Sequence, residues 1–212
     1  MRLIRLLLFA CTVALCPAIC AELPLIADAA HDPAWRELWA QLAPGKARES
    51  AFEERRYFPF RRDPVILTGE IRIMPDRGLS LHYLTPEQRV LIADAKGLLL
   101  RDAAGRSHSP PGDPRARAAL AALVDVLRFD LPELQRSFVL RGRRDGDAWT
   151  LTFIARDRDL AAALGTLVLT GERARLCKIE MIRSANQRIE VLIGETHEDA
   201  VFTADELSRF FR

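Results

Sequence analysis

Lysine is scarce in this chain: Lys46, Lys96 and Lys178 are the only three among 31 basic residues, and the other 28 are arginines scattered among acids. Without Arg2 and Arg5, which lie in a candidate leader, basic and acidic residues balance at 29 each. A formally neutral body excludes a diffuse electrostatic grip on nucleic acid or on an anionic membrane. Cysteine is scarce as well, with four residues in the chain. Cys11, Cys16 and Cys20 fall in the first 21 residues, so only Cys177 remains beyond them. One cysteine closes no internal disulfide, and the fold must rest on its hydrophobic core. Cys177 alternates with Ile179 and Met181, as a buried strand cysteine does.

Recognisable catalytic and metal-binding patterns are missing too. His31, His82, His108 and His197 stand far apart, with no Cys or second His at ligand spacing. His108 between Ser107 and Ser109 reads as solvated loop polarity, since no Gly-x-Ser-x-Gly elbow occurs. No glycine-rich phosphate loop is present. The carboxylates Glu53, Glu54, Asp157, Asp159, Glu180 and Glu190 fall on apparent wet faces or turns. No catalytic residue, metal or cofactor is expected, although sequence alone leaves a convergent carboxylate pair open.

The one long apolar run, Leu6 to Leu15, follows Arg2 and Arg5 and is broken by Pro17 before small residues. That is the layout of a secretory signal cleaved after Cys20 or Ala21, and it is too short to span a bilayer. The expectation is a leader over 1–21 and one exported domain over 22–212. About 190 residues suffice for a single domain with its own core.

Periodicity then sets the elements. Asp32 and Pro33 start a helix whose stripe is Trp35, Leu38, Trp39 and Leu42, ended by Pro44-Gly45. Alternation follows in Val65, Leu67, Gly69, Ile71 and Ile73, then in Leu79, Leu81 and Tyr83 opposite Ser80 and His82. Val90 with Ile92 and Gly97 to Leu100 continue an antiparallel meander with one wet face. After a Ser/Pro/Gly loop, Asp113-Pro114 opens a helix with the stripe Leu120, Leu123, Val124 and Leu127, and Asp130 and Pro132 a shorter one. Strands resume at Phe138–Arg143, at Trp149, Leu151 and Phe153, and at Gly165–Thr170. The last pair carries Ile179 and Met181 opposite Ile189, Val191 and Ile193, and Thr203 to Glu206 has capping-box spacing before a terminal helix. Eight to eleven strands, each apolar on one side, predict an α+β, mostly antiparallel fold. The architecture that follows is an incomplete β-barrel with a lid of two to three helices over an apolar concave face.

The ordered set Phe52-Glu53-Glu54-Arg55-Arg56-Tyr57, Pro64 to Glu70, Pro75, Gly146 to Thr152, Asp159-Leu160-Ala161 and Leu169-Thr170-Gly171 resembles the LolA-like periplasmic carriers, in particular their divergent LolA-related branch. The resemblance covers about residues 32–195 of the chain. It implies a monomeric carrier that shields acyl chains of a lipoprotein or another acylated envelope lipid between an inner-membrane donor and an outer-membrane acceptor. The lipid-binding residues are then Trp35, Leu38, Trp39, Leu42, Leu67, Ile71, Ile73, Leu81, Tyr83, Leu123, Leu127, Trp149, Leu151, Phe153, Ile179, Met181, Ile189 and Val191, and the Trp35/Trp39 and Leu120–Leu127 helices the moving lid. In the best-known members an arginine before the proline of the third strand helps gate that lid; here Met74 precedes Pro75. A non-transporting lipid-binding or sensor module on the same fold is the alternative. An exported hydrolase is a third reading, which a buried Ser/His or carboxylate cluster in a pocket would favour.

Overall fold

A computed structural model describes residues 23–43, 45–108 and 114–212. The expected leader, Pro44 and the Asp113 cap lie outside the described residues, as does the Leu120 side chain. In chain order the elements are α1 (Pro33–Leu42), β1 (Arg48–Tyr57), β2 (Val65–Met74), β3 (Gly78–Thr85), β4 (Arg89–Asp94), β5 (Gly97–Asp102) and β6 (Ser107–His108). Then come α2 (Pro114–Leu127), α3 (Leu131–Ser137), β7 (Phe138–Asp145), β8 (Ala148–Ala155) and α4 (Arg158–Leu164). The chain ends through β9 (Thr166–Glu172), β10 (Arg175–Ser184), β11 (Gln187–Glu198) and α5 (Ala204–Phe210). Among the described residues no helix is long and apolar enough to cross a membrane.

All eleven strands form one open antiparallel sheet in the order β6-β5-β4-β3-β2-β1-β11-β10-β9-β8-β7. This is the predicted half-barrel. Its topology explains the lid. The meander runs outward from the central β1 to the edge strand β6, and the next strand, β7, is the opposite edge. The segment carrying α2 and α3 therefore joins the two edges of the open barrel. Its apolar residues Ala122, Val124, Val126, Leu127 and Leu134 are buried in the core shared with the sheet.

Two cross-strand pairs set an aromatic ring against a glycine. Phe52 lies directly opposite Gly69, and Trp149 opposite Gly171. A Cβ on Gly69 would sit 2.6 Å from the Phe52 ring, and one on Gly171 2.1 Å from the Trp149 ring. The aromatic ring fills the space that the glycine leaves, and both positions admit no side chain. Trp149 is held further by its indole N–H, which donates to the Arg173 carbonyl at 2.8 Å.

The caps are those expected from the sequence. Asp32 accepts from the Ala34 N–H, Asp130 from Glu133, and Thr203 and Glu206 form a reciprocal capping box. One expectation is corrected. The convex face of β2, β3 and β4 is not wet, because α5 covers it: Phe210 and Phe211 pack there with Val90 and Ile92. Arg72, Ser80 and His82, which alternation placed toward solvent, are buried beneath that helix. The Arg72 guanidinium lies 4.0 Å from the Phe210 ring centroid and pairs with Glu49 and Glu70 at 2.7 Å. Cys177 is also displaced from its expected place. It sits half-buried at an irregularity in the β9–β10 register.

Candidate functional site: an apolar cavity with a polar floor

Between the concave face and two helices lies a cavity of about 190 Å³. Strands β1, β2, β3, β10 and β11 supply its floor through Phe52, Ile71, Leu81, Tyr83, Ile179, Met181, Ile189 and Val191. Helix α2 roofs it with Ala119, Leu123 and Leu127, and α4 with Ala163 and Leu164. An adjoining hollow of about 160 Å³ shares Arg56, Ala163, Leu164, Met181, Arg183 and Ile189 with it and adds Tyr57, Phe58, Gln187 and Arg188. The second hollow lies where the β1–β2 and β10–β11 hairpins meet the C-terminal end of α4, and it forms the mouth of the first.

Of the residues read from sequence as lipid-binding, the structure brings nine together on this cavity: Ile71, Leu81, Tyr83, Leu123, Leu127, Ile179, Met181, Ile189 and Val191. The other nine lie elsewhere. Trp35, Leu38, Trp39, Leu42, Leu67, Trp149, Leu151 and Phe153 are buried in close-packed core, and Ile73 lines an end cleft with Trp39 and Phe129. Trp35 closes over Gly142, where a Cβ would meet its ring at 2.7 Å. Helix α1 is therefore a packed element of the core, and none of its side chains lines the cavity. Met74 packs among the residues under α5.

Sequence reasoning missed the polar part of the floor. Glu54, expected on a wet face, is only 5% exposed and points into the cavity. The Tyr83 hydroxyl donates to its Oε2 at 2.9 Å, and Arg56 Nε donates to its Oε1 at 2.5 Å. Burial first, and then the Glu54 charge, push the Tyr83 hydroxyl well above its ordinary range, so it remains a donor. Burial pulls the Arg56 guanidinium down, but the Glu54 hydrogen bond and charge outweigh it and hold it above its usual value. The three groups satisfy one another, and apart from Arg183 the rest of the lining is apolar.

Alternating charge hid this strand. Glu49, Glu53 and Arg55 share β1 with Glu54 and Arg56, so neither face reads as apolar. Helix α4, seven residues long, was not read from the sequence. Its signals were present nonetheless: Asp157 accepts from the Leu160 N–H at 2.8 Å, and Gly165 at φ 75 follows its end. No serine or histidine lines the cavity, and among the described residues no group of three or more His, Cys, Asp or Glu is placed to hold a metal. His82 bonds Glu70 at 3.2 Å on the convex side, away from the cavity.

No family model matches the chain, and no curated protein does. Solved structures do. A LolA superfamily protein from Nitrosomonas europaea is similar at 9% identity over 81% of this chain and 94% of that one, with a TM-score of 0.43. The MucA/MucB complex of Pseudomonas aeruginosa gives 16% identity over 82% of this chain and a TM-score of 0.49, and this chain spans only 59% of that one. A putative outer membrane lipoprotein-sorting protein domain from Vibrio parahaemolyticus gives 9% identity, 80% and 92% coverage and a TM-score of 0.39.

Proposed function

We propose that this protein is a periplasmic carrier that binds an acyl chain of a lipid or lipoprotein between the sheet and helix α2, and shields it between inner and outer membrane. The observation that carries the reading is the cavity itself: its lining is apolar except for the self-satisfied Glu54, Tyr83 and Arg56 cluster and for Arg183, and it adjoins a second hollow at one end. A dry apolar cavity of about 150 Å³ takes up one benzene ring. The cavity here thus receives a short acyl segment as it stands, and a longer chain enters only as α2 moves outward. Each methylene then buried contributes about 0.8 kcal/mol, so a long chain supplies on the order of 10 kcal/mol. Return of α2 onto the sheet opposes that gain and permits release.

The test is uptake of a fluorescent fatty acid by the protein, followed by its transfer to acceptor vesicles. Saturable uptake with transfer faster than spontaneous desorption supports the carrier reading. Uptake without accelerated transfer leaves the non-transporting binder. Trp39 reports the lid, because its ring centroid is 6.0 Å from that of Phe129, just beyond α2. Tryptophan emission unchanged at saturating lipid contradicts a moving α2.

A further inference from the structure

The β1–β2 hairpin beside the cavity mouth carries a feature that neither the core nor the cavity explains. Phe60 is 81% exposed, the one strongly exposed aromatic side chain among the described residues. Its ring stacks on Phe58 at 5.4 Å and 24°, and Phe58 itself lines the mouth. The Arg61 N–H donates to the Phe58 carbonyl at 3.1 Å, closing a tight turn with Pro59 and Phe60 at its corners. Water therefore meets an aromatic pair at a protruding tip, where polar residues are the rule.

The charges around this tip are predominantly cationic. Arg61 and Arg62 are exposed and pair with no carboxylate among the described residues. Across the mouth, Arg183 bonds the Ala163 carbonyl and likewise has no acidic partner among those residues. Arg188 lies 3.7 Å over the Tyr57 ring and pairs with Glu190 at 2.9 Å. Asp63 is the one acid within the hairpin loop. The balance of 29 basic and 29 acidic residues beyond the candidate leader excludes a diffuse grip, but it leaves room for this local concentration of positive charge.

We propose that this hairpin docks the protein on an anionic lipid bilayer. Phe60 and Phe58 enter the boundary between headgroups and acyl chains, while Arg61, Arg62 and Arg183 meet lipid phosphates, so the cavity mouth opens onto the membrane. Aromatic rings with flanking arginines suit that interface, where one end is apolar and the other wet. A few such groups give reversible association with anionic lipid. A stable protein interface needs about 800 Å² from each partner. One hairpin tip offers far less, and that favours the bilayer over a protein surface. The proposal rests on the acyl-binding reading, because Phe58, on which Phe60 stacks, lines the mouth together with Met181 and Ile189.

Flotation of the full protein with phosphatidylcholine vesicles, with and without phosphatidylglycerol, tests it. Binding is expected to vesicles containing phosphatidylglycerol, to weaken with added salt, and to fall on the order of tenfold or more in Phe60→Ser. Arg61→Ala with Arg62→Ala is expected to weaken the preference for phosphatidylglycerol, and adding Arg183→Ala to abolish it. Phe60→Ser, and Arg61→Ala with Arg62→Ala, should keep the wild-type circular dichroism spectrum and fatty-acid uptake from solution. No binding of wild type to phosphatidylglycerol vesicles, or equal binding of wild type and Phe60→Ser, overturns the proposal. So does a concentration-dependent dimer that Phe60→Ser abolishes, which assigns the tip to a second copy. Vesicle binding that persists in a protein unable to take up fatty acid leaves the docking standing and removes the cavity reading alone.

Discussion

The Tyr83 hydroxyl donates to Glu54 at 2.9 Å in the floor of the cavity, and the same carboxylate holds Arg56. A buried acid with two donors is tolerated; a donor pair without its acid is not. Tyr83→Phe should cost about 1 kcal/mol of stability, the usual worth of one such hydrogen bond. Glu54→Leu should cost more, about 2 kcal/mol, because it strands the partly buried Arg56 and the Tyr83 hydroxyl together. Adding Arg56→Leu should recover part of that loss. Urea unfolding of the single and double variants checks it, and strictly additive losses would show that the cluster does not act as a unit.

Asp125 lies on α2 near its C-terminal end, where the helix dipole disfavours an anion. Burial first, and then the neighbouring Asp130, raise its carboxyl above the ordinary value of 3.8. The folded protein therefore holds this proton more tightly than the unfolded chain does. Stability falls as pH rises through that window, and the full penalty is present at neutral pH. Asp125→Asn should raise the melting temperature at pH 7, and the gain should vanish in acid below the unfolded-state value. Because the penalty sits on α2, the same variant should also slow fatty-acid uptake. An unchanged melting temperature at pH 7 contradicts the assignment.

Ala119 faces the cavity from α2. Ala119→Trp should fill space otherwise open to about four methylenes, removing about 3 kcal/mol of cargo binding, on the order of a hundredfold in affinity. Fatty-acid titration of the folded variant measures this. Affinity equal to wild type would place the ligand elsewhere.

On the opposite face, Phe210 covers Arg72 and His82. Phe210→Ala should destabilise the fold by about 3 kcal/mol while leaving fatty-acid affinity unchanged, because nothing under α5 reaches the cavity. Calorimetry together with the same titration separates the two effects. Acid should add to the loss. Burial raises the Glu70 carboxyl, but hydrogen bonds from Arg72 and His82 outweigh this and hold it below its usual 4.5, so its contribution is present above that value and disappears as pH falls.

These faces also show what a linear reading reaches. Ile71 with Leu81, and Ile179 with Val191, announce the concave face because their strands alternate cleanly, and the register pairs them as directly opposite residues. Trp35 and Trp39 announce a helix but not whether its stripe lines a cavity or fills a core. Both arrangements demand the same apolar period, and only packing against Gly142 and Phe129 decides it. The wet face expected at Arg72, Ser80 and His82 fails for a tertiary reason, since α5 is more than a hundred residues distant and carries its own apolar end to them. Glu54 and Arg56 were hidden because a charge pair that neutralises itself inside looks, in sequence, the same as one in water.

The central claim is that the space under α2 holds acyl chains. The most direct measurement is organic extraction of the protein purified without detergent from its native compartment, with mass spectrometry of the extract. Acylated species at near-stoichiometric amounts in wild type, and strongly depleted in Ala119→Trp, are the predicted result. A lipid-free extract from protein that also takes up no fluorescent fatty acid would mean that the cavity is an ordinary packing void, and would contradict the account.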